Sequence, residues 1–262
     1  MVAEFRAEEN RAPRPLYQDT VVELFLTDES KQAARQIAAA FPLAKDLIQI
    51  RTRYFDDTLD QHLRSNVRQV VILGSGLDTR AVRKATAGVT YYEIDDPTTI
   101  EMKRACYEEH GLTFDLKLIP GDYVRDGVIE LLEDHGFDIT LPTHIIWEGN
   151  TMYLSRERVT SVLTQLRRHL IRFRLSFDYM AETVIANTTG DAGITRFVDS
   201  FARMGAPWVF GIRDVRRFAR ELGLTVFENV QAAQLFTIYR RRRRISSPIF
   251  HFYSVCTVGS VD

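Results

Sequence analysis

Residues 70–80, VVILGSGLDTR, constrain this chain more than any other stretch. A short apolar run bounded by polar residues reads as a buried strand, and it leads without a spacer through Gly74-Ser75-Gly76 into a helix-like segment. Glycines at such a turn let bare backbone approach a ligand, because no side chain stands in the way. The same turn also serves as a plain strand-to-helix connection, so the motif needs support from elsewhere in the chain.

The first support is TYYEIDDP, where Asp95 ends a second strand 19 residues after Gly76. That is close to the roughly 20-residue offset at which an acid meets ribose hydroxyls. A carboxylate there accepts two hydroxyl hydrogen bonds and repels a 2′-phosphate, which argues against a phosphorylated nicotinamide cofactor. Asp96, directly before Pro97, is the better helix cap, since proline favours the first helical position. Asp95 is thereby left for a ligand. Thr79 stands where the dinucleotide pattern calls for Gly or Ala, which weakens NAD and FAD and favours a nucleoside without phosphate, such as S-adenosylmethionine.

Two further carboxylates fall at strand ends. Asp122, in LIPGDYVRDG, lies where an adenine would sit and could accept from its exocyclic amine; a turn Asp beside Gly121 is the competing reading. Glu148, in IIWEGNTMYL, falls at the carboxyl edge of a fourth strand, where open α/β proteins bind their ligands and where a carboxylate can hold a cationic group. Left unpaired beside Ile146 and Trp147, it would be costly.

Short apolar runs alternate with helix-like stretches from Gln69 onward: QVVIL, TYYEI, LKLI, THIIW, RLSFDYM, LTVFENV and HFYSVCTV. This pattern predicts an α/β fold, Rossmann-like, with a seven-stranded, mostly parallel sheet. Its last strand is expected to enter antiparallel after the Arg- and Ser-rich link at 231–250. Residues 1–66 carry apolar positions at helical spacing and read as a helical N-terminal cap on a domain spanning 67–262. Residues 181–212 are too long for an ordinary connection and read as a lid insert.

Composition narrows the partners. A formal charge of -1 over 262 residues gives no global field for polyanions, so nucleic acid would need a local patch. One exists, five consecutive arginines at 240–244 beginning with Arg240, and a solvated loop is its simpler reading. Cys106 and Cys256 have no second ligand at metal spacing, so no metal is expected and a reduced, cytoplasmic chain is. The first residues lack the apolar core of a signal peptide, and no run approaches the roughly 20 apolar residues of a membrane span.

Taken together, RTRYFDD, VVILGSGLDTR, YYEIDDP, the Asp122 segment and EGNTMYL resemble the leucine carboxyl methyltransferase family, including its bacterial branch of small-molecule O-methyltransferases. The resemblance runs from about Arg51 to Tyr179. It implies that Arg51 reaches the carboxylate of the cofactor's methionine moiety, with Arg53 as the alternative. It implies that Gly74 and Gly76 pass under S-adenosylmethionine, that Asp95 holds its ribose, and that Asp122 with the backbone of Tyr123 reads its adenine. Glu148 would face the amino group, and Tyr153 would lie near the methyl acceptor. The sequence departs from the family at YVRDG after Asp122 and at Asn150, where many relatives carry an apolar residue. Asn150 is either a substrate ligand or a strand-end amide that satisfies backbone groups.

Methyl transfer is an in-line displacement at a sulfonium, so alignment and exclusion of water are what an enzyme supplies. A carboxylate acceptor with a pKa of about 4 needs no base, whereas a phenol near 10 does. The available bases are His144, Asp178, Tyr153 and Tyr179. The expected reaction is O-methylation of a small molecule, a carboxylate first. The rivals are a lyase or cyclase acting on the cofactor itself, and a nucleic-acid binder using the arginine run. Phe197, Phe201, Met204 and Trp208 are candidate walls of an apolar acceptor pocket. Monomer and homodimer are both compatible with the sequence.

Overall fold

A computed structural model describes residues 1–40, 44–240, 245 and 247–260. The seven expected strands are β1 (Gln69–Leu73), β2 (Thr90–Asp95), β3 (Leu116–Pro120), β4 (Thr143–Trp147), β5 (Phe173–Ala181), β7 (Thr225–Gln231) and β8 (Tyr253–Gly259). A two-residue strand, β6 (Gly211–Ile212), adds to the edge of β5. The main order is β3-β2-β1-β4-β5-β8-β7. β1 has β2 on one side and β4 on the other, so the chain winds away from it in both directions and leaves a crevice at the strands' carboxyl ends.

Strands β1 to β5 are parallel, and β8 runs antiparallel between β5 and β7, with Phe177 opposite Cys256 and Val230 opposite Val255. Insertion of β8 gives β7 its only ladder among the described residues.

Every residue of β1 and β4 is buried because helices cover both sheet faces, which is why these strands are continuous apolar runs. Alternation still sorts their side chains. Val71, Leu73, Ile145 and Trp147 pack on one face with Phe177 and Leu163, while Val70, Ile72 and Ile146 pack on the other with Ile50, Phe55 and Leu59. Those last three belong to the helix Ala44–Leu63, which lies along the sheet and carries Arg51 to its carboxyl edge.

The residues before β1 form helices Val2–Glu9, Asp28–Ala40 and Ala44–Leu63 with a 3-10 turn at Val21–Phe25. The stretch 181–212 folds into helices Glu182–Ile185 and Ala192–Arg203 before β6. Phe201 and Trp208 stack there with centroids 4.6 Å apart, and Phe197 closes the group at 5.2 and 5.6 Å. Met204 is half exposed. Arg240 is described and binds Glu9 at 2.7 Å; residues 241–244 of the arginine run lie outside the described residues.

Candidate active site

The glycine turn after β1 needs left-handed backbone, with φ of +60° at Gly74 and +49° at Gly76. The two glycines answer to different constraints. A Cβ on Gly74 would stand 2.5 Å from Asn150 Oδ1, so its missing side chain makes room for a neighbour. Around Gly76 nothing lies within 4 Å of the Cβ position, and the residue borders a cavity of about 280 Å³. The cavity is floored by the turn and walled by Arg51, Glu148, Gly149 and Asn150. Arg6 and the first turn of the N-terminal helix close it from the opposite side.

Asp95 sits beside this turn at the end of β2. One carboxylate oxygen accepts from Gly76 N at 2.5 Å and the other from Asp96 N at 2.7 Å. Burial pushes its carboxyl up from the ordinary value, and the Gly76 N–H opposes that shift. Asp96 is the helix cap, accepting from Thr98 N and Thr99 N, which leaves Asp95 out of the helix as expected. Thr79, at the position of the third glycine, is fully buried, and its hydroxyl meets Arg6, Asp19 and Arg83. Side chains thus fill the place where a pyrophosphate would approach.

Arg51 and Arg53 leave the same helix in opposite directions, as a two-residue step of about 200° requires. Arg53 pairs with Asp57 at a half-exposed position. Arg51 points inward: its Nε lies 2.9 Å from Glu148 Oε1, and its Nη1 lies 3.1 Å from Asp178 and 3.0 Å from the Tyr253 hydroxyl. Gly149 lets it pass, since a Cβ there would be 3.2 Å from Arg51 Nη2. The other oxygen of Glu148 meets Arg80 Nη1 at 2.8 Å.

Arg80 is buried and also holds Asp56 at 2.8 Å and Asp78. Asp56 takes Arg83 on its second oxygen at 2.8 Å. Arg6 pairs with Asp19, and Lys103 pairs with Glu93 while donating to Asp78 O at 2.8 Å. Of these, Asp56, Asp78 and Arg80 lie inside RTRYFDD and GSGLDTR, so the motifs contained them without revealing their roles. Arg6 and Tyr253 carry no local signal; only the fold brings residues so distant in sequence together.

Asn150 Nδ2 donates to Glu148 O at 2.8 Å, Gly74 O at 3.2 Å and Leu73 O at 3.3 Å. This is the strand-end amide of the two sequence readings, tying the end of β1 to the end of β4. Asp122 lies exposed at the end of β3, its side chain accepting from Val124 N and Arg125 N as a turn residue. The side chain of Tyr123 turns into the core, where its hydroxyl accepts from Trp147 Nε1 at 3.0 Å. Tyr153 is 39% exposed in the turn Thr151–Tyr153. The structure therefore gathers Arg51, Gly74, Gly76, Glu148 and Asn150 on one cavity with Asp95 at its margin, and sets Asp122, Tyr123 and Tyr153 outside its wall.

The candidate bases fare differently. Asp178 is wholly buried behind Arg51, accepting from Gly149 N at 2.7 Å and from Tyr253. The Tyr179 hydroxyl is bound to Asn229 on the far face and pushed up to about 12 by burial. His144 lies at the amino end of β4, the opposite end of the sheet, stacked on His62 with ring centroids 4.3 Å apart. Buried at the end of the sheet away from the cavity, it is not placed to act as a base there. No group of three or more metal-ligating side chains occurs among the described residues.

A parallel sheet with one inserted antiparallel strand, and a glycine turn at its switch point facing two acids, has the architecture of the Rossmann-like methyltransferases. Solved structures agree on the fold. A DUF574 family protein of Streptomyces avermitilis superposes with a TM-score of 0.69 over 100% of this chain and 97% of its own, at 12% identity. Magnesium protoporphyrin IX methyltransferase of Synechocystis, solved with bound SAH, gives 0.54 over 93% and 100%, also at 12%. The sequence profile of the leucine carboxyl methyltransferase family matches residues 1–167, and the chain belongs to that family. Among curated relatives, a Mycolicibacterium paratuberculosis protein assigned as an S-adenosyl-L-methionine-dependent methyltransferase is 35% identical over 184 residues, 63% of this chain and 58% of that protein. A Streptomyces coelicolor protein of the same assignment is 30% identical over 179 residues, 63% and 62%. This chain thus matches about three-fifths of the length of these relatives. No helix among the described residues is long and apolar enough to cross a membrane.

Proposed function

We propose that this protein is an S-adenosylmethionine-dependent methyltransferase that methylates an oxygen of a small molecule, a carboxylate in the first place. The observation that carries the acceptor class is the pairing of the cavity's own acids. Asp78 and Glu148 are the carboxylates in its wall, and both are salt-bridged to buried arginines. Each is engaged by an arginine, and Asp178 is sealed behind Arg51. A cavity wall whose carboxylates are all paired suits a nucleophile that is already ionised at neutral pH.

The residues fit the cofactor. Gly76 offers open space where a side chain would project, Asp95 presents a carboxylate at the β2 end, and Arg51 with Glu148 supplies the two charges that complement an amino-acid zwitterion. Bound S-adenosylmethionine supplies the electrophilic methyl group. The chain's own part is to hold the cofactor's ends, to bring the acceptor oxygen into line, and to keep water out beneath the N-terminal helix. Tyr153 and Asn150 are assigned to the acceptor side, Asn150 as a positioning residue that fixes the glycine turn. Asp122 and the Tyr123 backbone are assigned to the adenine edge. The stretch 181–212 is assigned as the lid over the acceptor.

Calorimetric titration with S-adenosylmethionine, with Asp95→Ala alongside, tests the cofactor. Turnover of carboxylic acids and phenols between pH 6 and 9 tests the acceptor. A carboxylate gives a flat rate over that range; a rate rising toward the pKa of a phenol, with carboxylic acids inert, would exclude the carboxylate reading.

A further inference from the structure

The ion pairs around the cavity do not balance. Among the described residues the contiguous buried network contains five cations, Arg6, Arg51, Arg80, Arg83 and Lys103. These are shared by six carboxylates: Asp19, Asp56, Asp78, Glu93, Glu148 and Asp178. Asp95 at the margin adds a further negative charge. The excess centres on Arg51, which alone faces both Glu148 and Asp178.

We propose that this surplus carboxylate, Asp178 behind Arg51, makes the site discriminate by charge: it holds cationic S-adenosylmethionine more tightly than S-adenosylhomocysteine and admits an anionic acceptor only after the cofactor. The inference rests on the cofactor and acceptor readings above. S-adenosylmethionine carries a sulfonium beside its zwitterionic end, for a net charge of +1, so its binding offsets the surplus. A carboxylate approaching the site without cofactor would meet uncompensated negative charge in a water-poor setting, where such repulsion is poorly screened.

During transfer the carboxylate oxygen forms the new O–CH₃ bond, the S–CH₃ bond breaks, and its electron pair stays on sulfur. Sulfonium and carboxylate become thioether and ester, both uncharged at the reacting atoms. The summed charge of the bound pair is zero before and after transfer, so the discrimination acts on the cofactor and its thioether product when each is bound without acceptor. Burial pushes the Asp178 carboxyl up, against the pull of Arg51.

The test is calorimetry of the wild-type protein with S-adenosylmethionine, with S-adenosylhomocysteine, and with an analogue carrying an amine at the sulfonium position. Both cationic ligands are expected to bind on the order of tenfold more tightly than the thioether. In Asp178→Asn that ratio should fall toward one. Glu93→Gln removes one charge from the far side of the turn and serves should the first variant not fold. Equal or tighter binding of the thioether to wild type overturns the proposal, as does an unchanged ratio in a folded variant. Binding of none of the three removes the cofactor reading, and this inference with it.

Discussion

Arg51 Nε and Glu148 Oε1 lie 2.9 Å apart, so the two residues suited to opposite ends of an amino-acid zwitterion hold each other. The pair joins a helix before the sheet to the end of β4 across 97 positions of sequence. Neither partner is left with an unpaired buried charge, and a zwitterion arriving between them would exchange one ion pair for two.

Removal of Arg51 should be severe. Arg51→Met leaves Glu148 and Asp178 sharing too little positive charge in a buried setting, and a loss of about 3–5 kcal/mol is expected. Arg53→Ala, at a half-exposed pair, should cost about 1 kcal/mol or less. Urea denaturation of the two variants side by side checks the contrast; similar losses would show that Arg51 is not the inward partner.

Asp95→Ala should weaken S-adenosylmethionine binding about 10- to 100-fold, the range expected when hydrogen bonds to a charged acceptor are lost. The readout is calorimetry on protein whose melting temperature is close to that of wild type. Asp95→Asn separates the charge from the geometry, since it keeps an acceptor for Gly76 N–H.

Gly74 and Asn150 should be coupled. Gly74→Ala places a methyl 2.5 Å from Asn150 Oδ1 and adds left-handed strain of about 1–2 kcal/mol. Asn150→Ala makes room for that methyl while releasing three backbone carbonyls. In a double-mutant cycle the glycine substitution should therefore cost less in the Asn150→Ala background, by about 1 kcal/mol or more. Gly76→Ala, with open space around its Cβ, should show the strain and no such coupling.

Acid should destabilise the protein through the stacked histidines. Burial lowers His62 to about 4 and His144 well below its ordinary value, with the His62 ring adding to the effect on His144. Both are neutral in the folded chain at pH 7, whereas in the unfolded chain they take up protons near 6.5. Stability is therefore complete above about pH 7 and declines as the pH falls from 6.5 toward 4. His62→Phe should flatten that slope in chemical denaturation at a series of pH values, and a slope equal to wild type would assign the acid sensitivity elsewhere.

The sheet was legible because each strand is a short apolar run between turn signals, and the antiparallel entry of β8 followed from its long link. β6 was not legible: two residues, Gly211 and Ile212, carry no periodicity, and only their contact with Met180 and Ala181 makes them a strand. The cavity floor could be read from Gly74, Gly76, Asp95 and Glu148, since strand-end glycines and acids mark the switch point. Its electrostatic frame could not. Arg6, Asp19 and Tyr253 look like any surface residues until the fold buries them together.

Tyr253 belongs to β8, and β8 lies between two strands that precede it in the chain. While a nascent chain is being made, β5 has an open flank and β7 has no partner until these residues arrive, and Arg51 and Asp178 lack the hydroxyl that both of them bind. Completion of the sheet and completion of the polar shell behind Arg51 are therefore one event, and cofactor binding can report that β8 is in place.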